Sequence, residues 1–103
     1  MAGCSFIGGR EERTPIWAYR EINERTIMIM STTGGGWETW VASTEESPTQ
    51  VILEVRTRAP QEGAGVGGGE AIWLTVHLAA PLGSRPVIDR ATNAEVPLST
   101  DLP

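Results

Sequence analysis

The chain contains no lysine; its eight basic residues are all arginine, set against thirteen Asp and Glu. The net charge of -5 repels phosphate backbones, and no local basic cluster offsets it. The expected partner is therefore a protein or small ligand of unknown identity, with no nucleic acid. One cysteine, Cys4, leaves no internal disulfide to form. One histidine, His77, cannot anchor a typical zinc site without further histidines or cysteines. No apolar run approaches the ~20 residues that a spanning helix needs. One Phe and one Tyr are few beside four Trp.

What remains is a chain of 103 residues with 12 Gly and 7 Pro, enough for one modest core and many turns. The start, Met1-Ala2-Gly3-Cys4, matches the end of a bacterial lipoprotein cleavage site, without the apolar region that normally precedes one. Two readings stand. Either a trimmed signal peptide was replaced by Met1 and Cys4 carries a lipid, or Cys4 is a free thiol on a loose end. The first implies a secreted or cell-envelope location, with the membrane reached only through that lipid. The second, with Met1 as native start, implies the cytoplasm.

Residues 1–14 read as a flexible tether, since glycines and charges give little to bury. Strands are expected over 16–22 and 26–33, joined by a turn at Asn23-Glu24. The run 27–30 is wholly apolar, which predicts a central strand covered on both faces. Gly34-Gly35-Gly36 ends it, and a third strand follows over 37–44. Ser43 and Glu46 have capping-box spacing, but Pro48 and the next strand leave no room for a helix.

The clearest alternation lies at 51–58, where Val51, Leu53 and Val55 share one face and Glu54, Arg56 and Arg58 the other. It recurs at 71–78, with Ile72, Leu74, Val76 and Leu78 opposed to Ala71, Trp73, Thr75 and His77. Between them lies a glycine-rich loop, 59–69. Its Gly63 to Gly68 formally fits a dinucleotide-binding pattern, but a strand follows where a helix is required, so a hairpin loop is expected. Pro81 and Gly83 mark a turn, 86–89 a short strand, and Asn93 a left-handed turn. A brief edge strand over 96–98 precedes a loose tail, 99–103.

These elements predict an all-β domain over 15–98, a small antiparallel β-sandwich of about 5–7 strands, with a small open barrel as the alternative. No cofactor or metal is expected, and no catalytic residues are assigned. His77 lacks any recognisable nucleophile motif around it; its plain reading is an outward strand residue. Arg85 and Asp89 share strand parity, which predicts an Arg–Asp bridge or turn bonds at the Pro81–Gly83 corner. Trp37 and Trp40, three apart, must point to opposite faces of a strand, and Trp73 opposes its own aliphatic face. Trp40, Trp73 and His77 are the candidate partner or ligand surface. The plain alternative packs Trp40 and Trp73 under the N-terminal segment or the glycine loop.

The segments 51–55, 78–89 and 92–97 carry a resemblance to a small β-domain of actinobacterial hypothetical proteins and predicted lipoproteins. The shared features are a Pro-Leu-Gly-x-Arg turn, here Pro81 to Arg85, and an Asp four residues on, here Asp89. Asn93 stands where that family usually has Gly. Many members carry a cysteine pair at places that look like Trp37 and 63–69 here. The resemblance therefore implies a buried Trp37 in place of a covalent link, an envelope location and a non-enzymatic interaction role.

Overall fold

A computed structural model of the chain describes residues 11–34, 36–59 and 70–99. Cys4 with its two readings, the dinucleotide-like glycines at 63–68 and the end of the tail lie outside the described residues. Among those described there is no helix, hence none long and apolar enough to cross a membrane.

The protein is all-β. Its strands are β1 (Glu11–Thr14), β2 (Ala18–Asn23), β3 (Thr26–Thr33), β4 (Glu38–Glu46), β5 (Val51–Arg58), β6 (Glu70–His77), β7 (Val87–Asp89) and β8 (Ala94–Glu95). They form a five-stranded and a three-stranded sheet. The five-stranded sheet is built around β5. One edge of β5 pairs antiparallel with β4 over its whole length. The other is shared end to end, by β1 against 55–58 and by β7 against 51–53. β8 lies beyond β7. The three-stranded sheet runs β2-β3-β6, all antiparallel.

The sheets face each other across an aliphatic core. Ile27 and Ile29 of β3 and Val76 of β6 meet Val51, Leu53 and Val55 of β5 and Val87 of β7. Strand alternation alone explains the choice, because these residues all sit at the inward parity of their strands. Leu78, Leu82 and Val96 close the core as the chain leaves β6 and β8.

Two corners join the layers. At the first, the chain passes from β1 to β2 through Pro15 and buried Ile16. Buried Asp89, 1% exposed, sits where β1 and β7 meet on the edge of β5. It accepts the Ile16 amide at 3.0 Å, the Ala91 amide at 3.0 Å and the Thr92 hydroxyl at 3.3 Å. At the second, Val96 donates to Val87 O, and the chain then bonds to Tyr19 through Pro97 and Ser99. The described strands therefore curl into a half-barrel, closed by the Tyr19–Leu98 bridge between β2 and the segment after β8, and unpaired between β4 and β6.

Several expectations are corrected. Residues 11–14, expected as the end of the tether, form β1 instead, because Arg13 and Glu11 meet Glu54 and Arg56 on β5. The sheet is mixed rather than wholly antiparallel, since β7 runs parallel to β5. β3 is covered on one face only, its other face being half-buried. The first turn is Glu24-Arg25, with the Asn23 side chain accepting the Arg25 amide at 3.0 Å. The last strand is β8, while Leu98 makes only an isolated bridge to Tyr19. β3 and β5 keep their expected bounds, and Asn93 has φ 62°, the expected left-handed turn.

Candidate interaction surface

The outward side chains of the two sheets differ in chemistry. On the three-stranded sheet the register builds three rows. Ala18, Met30 and Trp73 form one, Arg20, Met28 and Thr75 the next, and Thr32 and Ala71 a third. Trp17 completes the third row. Its amide donates to Met30 O at 2.8 Å, and its indole Nε1 donates to Thr32 Oγ1 at 2.8 Å. Its ring is held over the outer face with 53% of the residue exposed. Met28, Met30 and Trp73 are half-buried.

Arg20 lies over this surface. Its Cζ is 5.9 Å from the centroid of the Trp73 ring. β2 and β6 flank β3, so the side chain reaches across the methionine strand to make this stack. Arg20 has no ion pair among the described residues.

The outer face of the five-stranded sheet is laced by ion pairs, with Arg58 Nε left buried and unpartnered among the described residues. Glu54 takes Arg56 Nε at 2.6 Å and Arg13 Nε at 3.3 Å, with Arg90 Nε at 3.9 Å. Arg56 also reaches Glu11, Arg58 reaches Glu11 and Glu38, and Arg90 reaches Glu45. The Arg56 guanidinium, followed by that of Arg13, holds the Glu54 carboxyl below its ordinary value despite partial burial. Trp40 belongs here, with Arg58 Cζ 5.3 Å from its ring centroid.

The structure thus divides the predicted surface. Trp73 and His77 share the outer face of β6, whereas Trp40 lies on the outer face of the other sheet. Trp17 takes its place beside Trp73. Sequence reasoning missed it because Trp17 was counted inside a strand, where parity would put it with Tyr19 and the core. The signal was Pro15, which cannot continue a ladder and here introduces the corner that frees the ring. His77 is exposed and has no hydrogen bond or ion pair among the described residues. Trp37 is half-buried, with its Nε1 buried and unpartnered, and the second place implied for the lost cysteine pair lies outside the described residues.

The Pro81–Gly83 corner is held by Arg85, but not through Asp89. Arg85 donates to the carbonyls of Ser47, Ala80, Pro81 and Leu82 and pairs with Glu46 at 3.3 Å. Gly83 takes φ 59°, a conformation that a side chain would strain. Glu46 accepts the Ala79 amide at 2.6 Å and the Ala80 amide at 3.3 Å. Those amides, the Ala79 one foremost, and Arg85 lower its pKa. A cavity of about 580 Å³ opens between 46–48 and 79–85. Its Ala79 and Ala80 amides are already engaged by Glu46, and no tryptophan lines it. Among the described residues no three metal-capable side chains cluster.

Compared with known proteins, the chain matches no protein family, no curated protein and no solved structure.

Proposed function

We propose that the protein is a non-catalytic interaction domain that docks a partner protein on the outer face of its three-stranded sheet. One observation supports this reading: Trp17, Met28, Met30 and Trp73 form an apolar surface that no other described strand covers, and Arg20, stacked on Trp73, has no ion pair among the described residues. Rigid aromatics, adaptable methionines and an arginine are the side chains that dominate protein interfaces. The partner this surface fits presents an apolar side chain to the tryptophans and a carboxylate to Arg20. An envelope location belongs to the same proposal and is supported by Ala2-Gly3-Cys4 and by the resemblance.

The test is titration of envelope proteins against the purified domain, followed by the same titration with Trp17→Ser and Arg20→Gln. We expect each variant to weaken binding at least about tenfold. Unchanged affinity in both removes this face as the docking site. A sugar or small-molecule reading needs a tryptophan-lined cleft, and the cavity at 79–85 has no tryptophan in its lining.

A further inference from the structure

The half-barrel has one side without a ladder. There β4 lies against β6 and β3, and no strand pairing joins it to either among the described residues. The register shows how thin this side is. Val41, Thr44 and Glu46 stand opposite Val55, Leu53 and Val51, so all three take the inward side of β4. Their partners on β5 are fully buried, yet Val41 is half-buried and Thr44 is exposed. Leu74 of β6 is half-buried as well, although it packs against the core.

Side chains hold this side together instead. At one end Thr39 Oγ1 of β4 meets Thr33 Oγ1 of β3 at 2.9 Å. At the other, Glu46 is a charge at an inward position, and it finds partners by reaching past the end of β6. Its Oε2 accepts the Ala79 amide at 2.6 Å, and its Oε1 accepts the Ala80 amide at 3.3 Å and Arg85 at 3.3 Å. Arg85 crosses the same gap to Ser47 O at 3.1 Å. Ala79 and Ala80 are exposed, and among the described residues Glu46 is the one acceptor for their amides.

The corner that Glu46 grips keeps its shape by other means. Leu78 N and Leu82 N donate to Arg25 O and Glu24 O at 2.7 and 2.8 Å, which fixes the corner to the three-stranded sheet. Arg85 also binds the Ala80, Pro81 and Leu82 carbonyls within it. Loss of the carboxylate therefore acts between the sheets and not within either one.

We propose that Glu46 is an acid-released clasp: when its carboxyl takes up a proton, β4 parts from β6 and the interior behind Val41 and Leu74 opens, while both sheets stay folded. Protonation turns an acceptor oxygen into a donor facing amides, and it removes the charge that holds Arg85. The Ala79 amide foremost, with Ala80 and Arg85, lowers the pKa of Glu46 below its ordinary 4.5. The clasp is thus complete above that value and fails as pH falls through the lowered one. Among the described residues Arg85 is the charged group in contact with Glu46. The neighbouring Glu45 pairs with Arg90, and Glu24, Arg25 and His77, which surround the corner, make no ion pair with Glu46.

The clasp is independent of the docking reading, and its test leaves Trp17 and Arg20 untouched. On the unaltered protein taken from about pH 6 to about pH 3, amide exchange at Ala79 and Ala80 should lose at least about tenfold in protection, while Ile29 and Leu53 keep theirs. A soluble nitroxide should then broaden the methyl signals of Val41 and Leu74. Glu46→Ala should show both changes at about pH 7, and His77→Gln should leave the acid response as it is. The proposal is overturned if Val41 and Leu74 stay shielded once the two amides are free, if Leu53 loses protection at the same pH, or if the response follows His77.

Discussion

The outer faces of the two sheets are built by the same strand alternation and end in opposite chemistry. On the five-stranded sheet Arg13, Arg56, Arg58 and Arg90 each meet a glutamate, so its charges are matched within the chain. On the three-stranded sheet Arg20 lies over Trp73 without a counter-charge among the described residues, above two methionines. Charge neutralised within the chain contributes order to its own surface and offers little to a partner. Uncovered apolar area and an unpaired cation offer a partner both hydrophobic burial and a charge-assisted bond. The difference teaches that the same alternation yields one face tied together by its own charges and another that leaves apolar side chains and a cation without a counter-charge among the described residues.

That contrast breaks most completely where the faces share a core. Leu53→Ala empties a site with no exposure and should lower unfolding free energy by about 2–5 kcal/mol in urea titration, degrading both faces together. Asp89→Ala comes next. It orphans the Ile16 and Ala91 amides at the corner between the sheets, at roughly 1–3 kcal/mol for each group that stays buried. Asp89→Asn, which keeps an acceptor, should lose less; equal losses would mean the corner depends on charge and not on hydrogen bonding.

Acid sharpens the comparison. Glu46 and Glu54 both have folded pKa values below the ordinary 4.5, so the folded state binds fewer protons than the unfolded one in that window. Their contribution is complete above 4.5 and is lost as pH falls through the lowered values. Urea midpoints between about pH 7 and about pH 3 should fall, and the fall should shrink in Glu46→Gln and Glu54→Gln. A profile unchanged in both variants would locate the acid sensitivity elsewhere. The smallest effect belongs to the other face: Trp17→Ser should alter stability by no more than about 0.5 kcal/mol, while partner affinity drops. A large loss of stability would show that Trp17 serves the fold after all.

Much of this architecture was legible in the order of residues. The alternation of Val51, Leu53 and Val55 and the extent of β3 are local signals, and both strands have the expected bounds. Asn93 and Gly83 fill left-handed positions that few other residues tolerate. Pairing between distant segments was not legible. β1 reads as a solvated tether until β5 is set beside it, because its charges are matched by residues more than forty positions away. Nothing near Val87 announces that it runs parallel to Val51. The apolar outer face was half visible, in Trp73 opposite its aliphatic neighbours. Met28 and Met30 join it only through the β3–β6 register, and Trp17 only through the bend at Pro15.

The shared edge of β5 has a consequence for how the chain reaches this structure. Its central strand takes one flank from residues 11–14 and the adjoining stretch from residues 87–89. No fragment shorter than 11–89 holds all three pieces, so assembly waits for strands near both ends of the described chain. High sequence separation of this kind slows the search and makes it all-or-none. A nascent chain halted before Val87 therefore leaves the ribosome with its middle strand half-dressed.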